Sequence, residues 1–313
     1  MNTYDLSIII PHYNSPMLLE KLLDSIGTRP GVEVIVVDDN STVERGTYQM
    51  VCDKHRSFNV VFLTNDSGIQ SAGVCRNIGL DRACGKWLLF ADADDYFLDG
   101  WYDIVSQYFD NEADIVFFSP TSINLKSGSL DVRHEEYSGL INAYLKKLPG
   151  AETCLRCCYY VPWSKLIRRE VVTRESIRFD ATRYSNDVIF SAKVGLSAKK
   201  ILAVNDTIYC VTRSEHSLTA PNKNREEMIA EEFIRLGVRC DLYALICDRV
   251  ARKERRYVAP TCLRSSIKIA KRYGLSIGYR YLILSRKRHI PFFNFYAIWK
   301  HALEVKVERR EKT

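Results

Sequence analysis

The sequence predicts an α/β fold: a mostly parallel, doubly wound sheet flanked by helices, followed by a mainly helical, basic C-terminal region. Three observations predict it. Short apolar runs alternate with amphipathic stretches through residues 1–119, which is how βα units feeding a parallel sheet read. Three of these runs end on polar clusters, His12-Tyr13-Asn14, Asp38-Asp39 and Asp92-Ala93-Asp94-Asp95, and open α/β sheets bind ligands beyond the carboxyl ends of their strands. The charge is also unevenly spread. Residues 249–313 hold 18 Lys and Arg against 4 Glu and no Asp, a net +14, whereas the preceding part holds 27 against 34, or −7. A mildly acidic body with a basic tail suggests a catalytic part joined to a docking part.

Leu6 to Pro11 is the first expected strand, a Ser-Ile-Ile-Ile run closing on proline. Ser15-Pro16 has the form of an N-cap followed by proline at the first helical position. Leu18, Leu19, Leu22, Leu23 and Ile26 then form one apolar stripe at helical spacing. Val32 to Val37 is a second, β-branched strand, and a helix is expected from about Thr42 to His55. Asn59 to Thr64 is a third strand. A loop follows over Gly68 to Gly73, then a helix from about Val74 to Ala83. Lys86 to Ala91 is the fourth strand, apolar enough to be buried on both faces. A helix near Trp101 to Phe109 and a strand over Asp114 to Ser119 come next. Thr121 to Pro149 reads as irregular with room for a short helix, and Tyr159 to Thr219 as mixed strands and helices. From Arg225 to Arg256 apolar residues recur every 3 or 4 positions, predicting one long packing helix. The expected division is 1–220, split into halves at 119/120, and 221–313.

Composition narrows the class. No apolar run reaches the roughly 18 residues of a transmembrane candidate, and the N-terminus lacks the basic and small-residue features of a signal peptide. The ten cysteines are scattered, as reduced thiols of a cytoplasmic protein would be. Cys154, Cys157 and Cys158 have a zinc-like local spacing without a second ligand pair at ribbon or finger spacing.

The Asp92-Ala93-Asp94-Asp95 cluster carries the chemistry. In an extended chain Asp92 and Asp94 point one way and Asp95 the other. Two adjacent carboxylates repel unless a cation lies between them, and hard divalent ions such as Mg²⁺ or Mn²⁺ take such oxygen sites and bridge to phosphates. The plainer reading is an acidic turn with Asp95 or Asp99 as an N-cap.

Four motifs in order carry a resemblance. Ser7-Ile8-Ile9-Ile10-Pro11-x-Tyr13-Asn14, Val34-Ile35-Val36-Val37-Asp38-Asp39-x-Ser41, Gly73-x-x-Arg76-Asn77-x-Gly79 and Asp92-Ala93-Asp94-Asp95 resemble the family 2 glycosyltransferases of GT-A fold, over roughly residues 4–220. The resemblance implies inverting, non-processive transfer of a sugar from a nucleotide-diphosphate donor, with UDP expected, in the manner of bacterial surface-polysaccharide enzymes such as those building capsule or lipopolysaccharide. Pro11, Tyr13 and Asn14 then match the wall of the nucleotide pocket, and Asp38 or Asp39 the acceptor of a base N–H. Arg76 matches the arginine near the nucleotide or its phosphates. Asp92 and Ala93 match the ribose side, and Asp94, with Asp92, the Mn²⁺ or Mg²⁺ site. Trp163 and Lys165 resemble the acceptor-side segment, although Trp163 could equally be core.

An inverting displacement needs a base for the acceptor hydroxyl. The family's Glu-Asp-x-x-Phe segment is matched by Asn186-Asp187-Val188-Ile189-Phe190, which makes Asp187 the base, with Asn186 standing where Glu is usual. The alternative for Asp187 is a first-turn helix acid. Tyr209 to Thr219 resembles the segment that closes over donor phosphates, with Arg213 and His216 as contacts. The expected partners are the nucleotide-sugar and a glycan or lipid-linked acceptor. Arg286 to Lys300, basic and aromatic, suits peripheral docking on an anionic inner membrane face, or a packed or dimer-forming appendage; nucleic acid is not expected. The competing functions are an inactive nucleotide-sugar-binding or scaffold homologue and a sugar-nucleotide pyrophosphorylase, whose glycine-rich loop Pro11-His12-Tyr13-Asn14 does not match.

Overall fold

The structure is a computed structural model that describes residues 4–56, 59–213 and 224–292. Two compact units emerge: residues 1–148 with 159–220, and residues 149–158 with 221–313.

The first unit opens with β1 (Leu6–His12), α1 (Pro16–Ile26), β2 (Val32–Asp38), α2 (Arg45–His55), β3 (Val60–Thr64), α3 (Ala72–Arg82) and β4 (Trp87–Phe90). It continues through β5 (Tyr96–Phe97), α4 (Trp101–Ser106), β6 (Ile115–Phe118), β7 (Thr121–Asn124) and α5 (Glu135–Leu145). The second unit contributes α6 (Ala151–Cys158). Back in the first unit follow β8 (Lys165–Arg168), α7 (Arg169–Arg174), α8 (Val188–Ser197), β9 (Ile201–Val204) and β10 (Tyr209–Arg213). The C-terminal helices are α9 (Arg225–Arg249), α10 (Arg255–Val258), α11 (Leu263–Tyr273) and α12 (Leu275–Lys287).

Seven strands form the main sheet in the order β3-β2-β1-β4-β8-β6-β9. The first four are mutually parallel, as βα alternation requires. β8 runs antiparallel to both β4 and β6 and separates them. Every residue of β1, β2 and β4 is buried, so the apolar runs there face covered ground on both sides. A second sheet, β5-β10-β7, lies apart from it.

Several expected boundaries move for identifiable reasons. β4 ends at Phe90, and the chain then turns: the Asp95 N–H donates to the Asp92 carbonyl at 3.0 Å. The carboxylates are therefore grouped by a turn, not by strand alternation. Neither Asp95 nor Asp99 caps the next helix, whose N-cap is Gly100 with φ 77°. Ser15 occupies the N-cap of α1 without using its side chain; its backbone N–H instead donates to His12 Nε2 at 3.2 Å. α3 starts at Ala72 because Ser71 caps it, its hydroxyl accepting from the Gly73 N–H. Tyr209–Arg213, the start of the segment resembling a closure over donor phosphates, is a strand hydrogen-bonded on both sides.

In the second unit α9 begins with a full capping box, Asn224 and Glu227. It stops at Arg249 rather than running on to Arg256. Arg255 folds back there and donates to the Cys247 and Val250 carbonyls at 2.6 and 2.9 Å, satisfying acceptors that a helix end leaves open. Leu236, Cys240, Cys262, Ile269, Tyr273, Tyr281 and Ile290 form one buried apolar cluster of this unit.

Candidate active site

The polar ends of β1 and β2 are laced together first. Register pairing sets His12 beside Asp38, and His12 Nδ1 lies 2.8 Å from Asp38 Oδ1. His12 Nε2 accepts from Ser15, so the proton is on Nδ1 and is donated to the carboxylate. Ser41 adds its hydroxyl to Oδ1 at 2.5 Å and its N–H to Oδ2 at 2.9 Å. Burial pushes the Asp38 carboxyl up, and the bonds from His12 and Ser41 outweigh it and hold it below its ordinary value. Both Asp38 oxygens are thus occupied within the protein. The neighbouring Asp39 is buried and takes one bond on Oδ1, from Asn65 Nδ2 at 2.6 Å. Asn65 is itself fixed by Ser67 and the Ile69 carbonyl.

Asn14, in the left-handed region at φ 51°, accepts from Thr42 and Val43 N–H groups and so latches the β1 end onto the loop after β2. Pro11 is buried in β1, and Tyr13, directly beyond that strand, is 43% exposed.

Next come the acidic turn and the arginine. Arg76 on α3 is buried; its Nη2 donates to Asp92 Oδ1 at 2.6 Å and its Nη1 to Asn186 Oδ1 at 2.9 Å. Its Nε is buried without a hydrogen-bond partner. Two further contacts stitch α3 to the segment before α8. Asn77 exchanges two bonds with the Phe179 backbone at 2.9 Å each, and the Ser71 hydroxyl donates to the Thr182 carbonyl at 2.9 Å. Gly73 is needed for this approach, since a Cβ there would collide with the Asp180 carbonyl and the Asn186 side chain. Phe90, at the end of β4, packs edge-on against Phe179 and Phe190. The arginine, the acidic turn and the start of α8 are thereby tied into one assembly.

Asp187 occupies the N-cap of α8, and its carboxylate makes no capping bond. Burial raises its pKa, opposed first by the Arg76 guanidinium, and also by Lys165, while Asp92 adds to the rise. Asp187 therefore senses the same arginine and acidic turn. Asn186 fills the place where Glu is usual by accepting from Arg76 and donating to the Thr182 carbonyl at 3.1 Å.

Asp94 is desolvated beside Asp92, and these two effects push it up to about 6. No side chain among the described residues donates a hydrogen bond to its carboxylate. Two hard oxygen donors at such a turn, one of them desolvated beside the other, fit a divalent cation. Asp95 is turned away and held by the protein: the Tyr209 hydroxyl donates to its Oδ2 at 2.8 Å and the Thr212 N–H to its Oδ1 at 2.7 Å. Tyr209 also accepts from the Asp92 N–H at 2.8 Å, and the Thr212 hydroxyl donates to the Asp94 carbonyl at 2.5 Å. β10 thus clamps the whole turn, with Ala93 buried inside it.

The acceptor-side residues sit differently from expectation. Trp163 is 5% exposed, packed against Tyr137 and stacked on Tyr209 at 5.9 Å, so it is core and offers no free face. Lys165 is buried in β8 with Nζ donating to the Tyr159 carbonyl at 3.0 Å. Burial pulls its pKa down to about 7, against the pull of Asp187. Arg213 is exposed and lies 3.8 Å from Asp131. His216 falls outside the described residues. Asn65, Tyr209 and Thr212 were not singled out from the sequence. Asn65 directly after the third strand and Tyr209 at the head of an apolar run were the available signals.

The profile of the family described as Glycosyl transferase family 2 matches residues 7–174. Glycosyltransferase GlyA of Streptococcus pneumoniae serotype 4 is 25% identical over 226 residues, covering 68% of this chain and 31% of that protein. Poly(ribitol-phosphate) beta-N-acetylglucosaminyltransferase TarS of Staphylococcus aureus is 26% identical over 211 residues, covering 65% and 34%. The chain thus spans about a third of the length of these curated relatives. Among solved structures, S. aureus TarS 1–349 in complex with UDP-GlcNAc has a TM-score of 0.58 at 19% identity, covering 90% of this chain and 92% of that one. The mannosyltransferase PcManGT from Pyrobaculum calidifontis, in complex with GDP-Man and Mn²⁺, has a TM-score of 0.54 at 15% identity, covering 98% and 81%. These likenesses carry the fold, which is of the GT-A type. Because the profile spans more than half of its residues, the chain belongs to glycosyl transferase family 2.

Proposed function

We propose that this chain transfers a sugar from a nucleotide-diphosphate donor, UDP-linked in the first instance, to a hydroxyl of a glycan or lipid-linked acceptor, with inversion at the anomeric carbon. The observation that carries the reading is Arg76, which binds Asp92 directly and joins that acidic turn to the segment bearing Asp187.

The residues divide the work. Asp39, with one oxygen held by Asn65, offers its remaining acceptor capacity to a base N–H, and Tyr13 gives the base a face to stack on. Asp38 sets the pocket's shape; its oxygens are already used by His12 and Ser41. Asp94 and Asp92 would hold a Mn²⁺ or Mg²⁺ ion, which supplies charge neutralisation to the diphosphate. Arg76 keeps Asp92 in place and adds positive charge where the leaving group's negative charge grows. Asp187 takes the proton from the acceptor hydroxyl as that oxygen bonds to the anomeric carbon. The bond from that carbon to the phosphate oxygen breaks with its electron pair, releasing the nucleoside diphosphate. A pKa above the ordinary carboxylate range makes Asp187 a stronger base once ionised.

The test is a panel of nucleotide-sugars with Mn²⁺, read by thermal stabilisation and by nucleotide release. UDP-sugars are expected to raise the melting temperature, and a bound ligand at about 100 times its Kd adds about 2.7 kcal/mol. Stabilisation without turnover on any acceptor would favour an inactive homologue. No stabilisation by any nucleotide-sugar would end the proposal.

A further inference from the structure

We propose that the outward face of α11, together with the corner leading into α12, docks on an anionic lipid bilayer. This goes beyond the transfer reaction and does not depend on it. The inner face of α11 is fixed: Ser266, Ile269 and Tyr273, with Cys262 preceding them, recur at 4, 3 and 4 residues and are buried. The opposite face presents Arg264, Ile267, Lys268 and Lys271, all exposed, at helical spacing. Directly beyond Gly274, Leu275 is 84% exposed, and Tyr279 one turn later is 66% exposed.

The charge on this face is unbalanced. From Arg255 to Phe292 the sequence has ten Lys and Arg and no Asp or Glu. Arg264, Lys268 and Lys271 make no ion pair with an acid among the described residues. Elsewhere on the surface, by contrast, Lys54, Lys86 and Lys200 are each paired. A helix face meant only for water gains from interspersed acids, and it has no use for an isoleucine, a leucine and a tyrosine among its cations. An anionic bilayer satisfies both features: headgroups take the cations and the acyl boundary takes the apolar side chains. A soluble polyanion would satisfy the charges alone. No helix among the described residues is long and apolar enough to cross a membrane, which fits a helix lying in the interface plane.

The test is co-sedimentation of the full chain with phosphatidylcholine vesicles, with and without phosphatidylglycerol, across a salt series. Binding is expected only with phosphatidylglycerol and is expected to weaken as salt rises. Each cation near such a surface contributes a factor of about five to partitioning. The triple change Arg264→Glu, Lys268→Glu, Lys271→Glu should therefore lower binding by more than about a hundred-fold. The pair Ile267→Ser, Leu275→Ser should weaken binding while leaving its salt dependence. Equal binding to neutral vesicles, or wild-type binding by the triple variant, would overturn the proposal. So would tight binding to polyphosphate that the apolar pair leaves unchanged, accompanied by unchanged vesicle binding; that outcome assigns the face to a polyanion. Nucleotide-sugar stabilisation, measured on every variant, separates loss of docking from misfolding and from failure of the transferase reading.

Discussion

Replacing Asn186 by aspartate tests how the site sets the proton affinity of its base. Asn186 accepts a neutral-acceptor hydrogen bond from Arg76 Nη1 at 2.9 Å, and Arg76 is the first influence that opposes the burial-driven rise at Asp187. A carboxylate at position 186 would turn that contact into an ion pair. Hydrogen bonds to charged groups contribute about 1.5–3 kcal/mol against about 0.5–1.5 for neutral ones, a difference of about 1 kcal/mol. Taken from Arg76's hold on Asp187, this corresponds to a rise of about 0.7 pKa unit, at about 1.36 kcal/mol per unit. The base must be ionised to accept a proton, so activity falls as pH drops through its pKa. The acidic limb of the kcat/KM profile should move to higher pH by about 0.5–1 unit, with rates converging well above it. Loss of the Asn186 bond to the Thr182 carbonyl costs about 1–3 kcal/mol of stability, read separately by thermal melts. An unmoved limb, or a rate loss equal at every pH, would refute this electrostatic link and leave Asn186 a packing residue.

Lys165→Met should flatten the pH dependence of stability. The folded pKa of about 7 lies below the ordinary lysine value, so the unfolded state binds more protons between the two, and wild-type stability rises with pH through that window. The variant should gain most relative to wild type at pH 6 and least at pH 10, in denaturant melts; a parallel offset would argue against a neutral buried lysine. Tyr209→Phe removes the hydroxyl that joins Asp95 to the Asp92 N–H. It should cost about 1–3 kcal/mol and weaken Mn²⁺ binding in a spectroscopic titration; unchanged affinity would make the β10 clamp irrelevant to the turn. Asn65→Ala frees Asp39 to rotate, so stabilisation by UDP should fall towards that by CDP. Retained preference would remove Asp39 from base recognition.

The first half of the fold was legible because its strands are nearly pure β-branched or aromatic-apolar runs, each closed by a polar cluster. Ile8, Ile9 and Ile10 are fully buried, as an uninterrupted run predicts. β8 was not legible: a four-residue strand starting on a lysine does not read as the element that separates β4 from β6. Lys165 is tolerated there because the Tyr159 carbonyl accepts from it and burial favours the neutral amine, both of which are tertiary facts. The pair Asp38-Asp39 could not be resolved either. Which of two adjacent acids is consumed depends on register, and pairing sets His12 against Asp38. Trp163 shows the same limit in reverse: its chemistry suited a sugar platform, and only packing against Tyr137 and Tyr209 shows that it has no open face. Around Asp187 the sequence supplied the residue, while the three stitches from α3 supplied its surroundings.

The proposed role of Asp187 is removal of the acceptor's proton at a site assembled by Arg76. Its most direct measurement compares wild type and Asp187→Asn for nucleotide release from a UDP-sugar with Mn²⁺ and an accepted glycan, alongside UDP binding by calorimetry. Turnover is expected to fall about 10²–10⁴-fold with UDP affinity unchanged, since Asp187 is not assigned to the nucleotide pocket. Turnover at the wild-type rate in Asp187→Asn would contradict it.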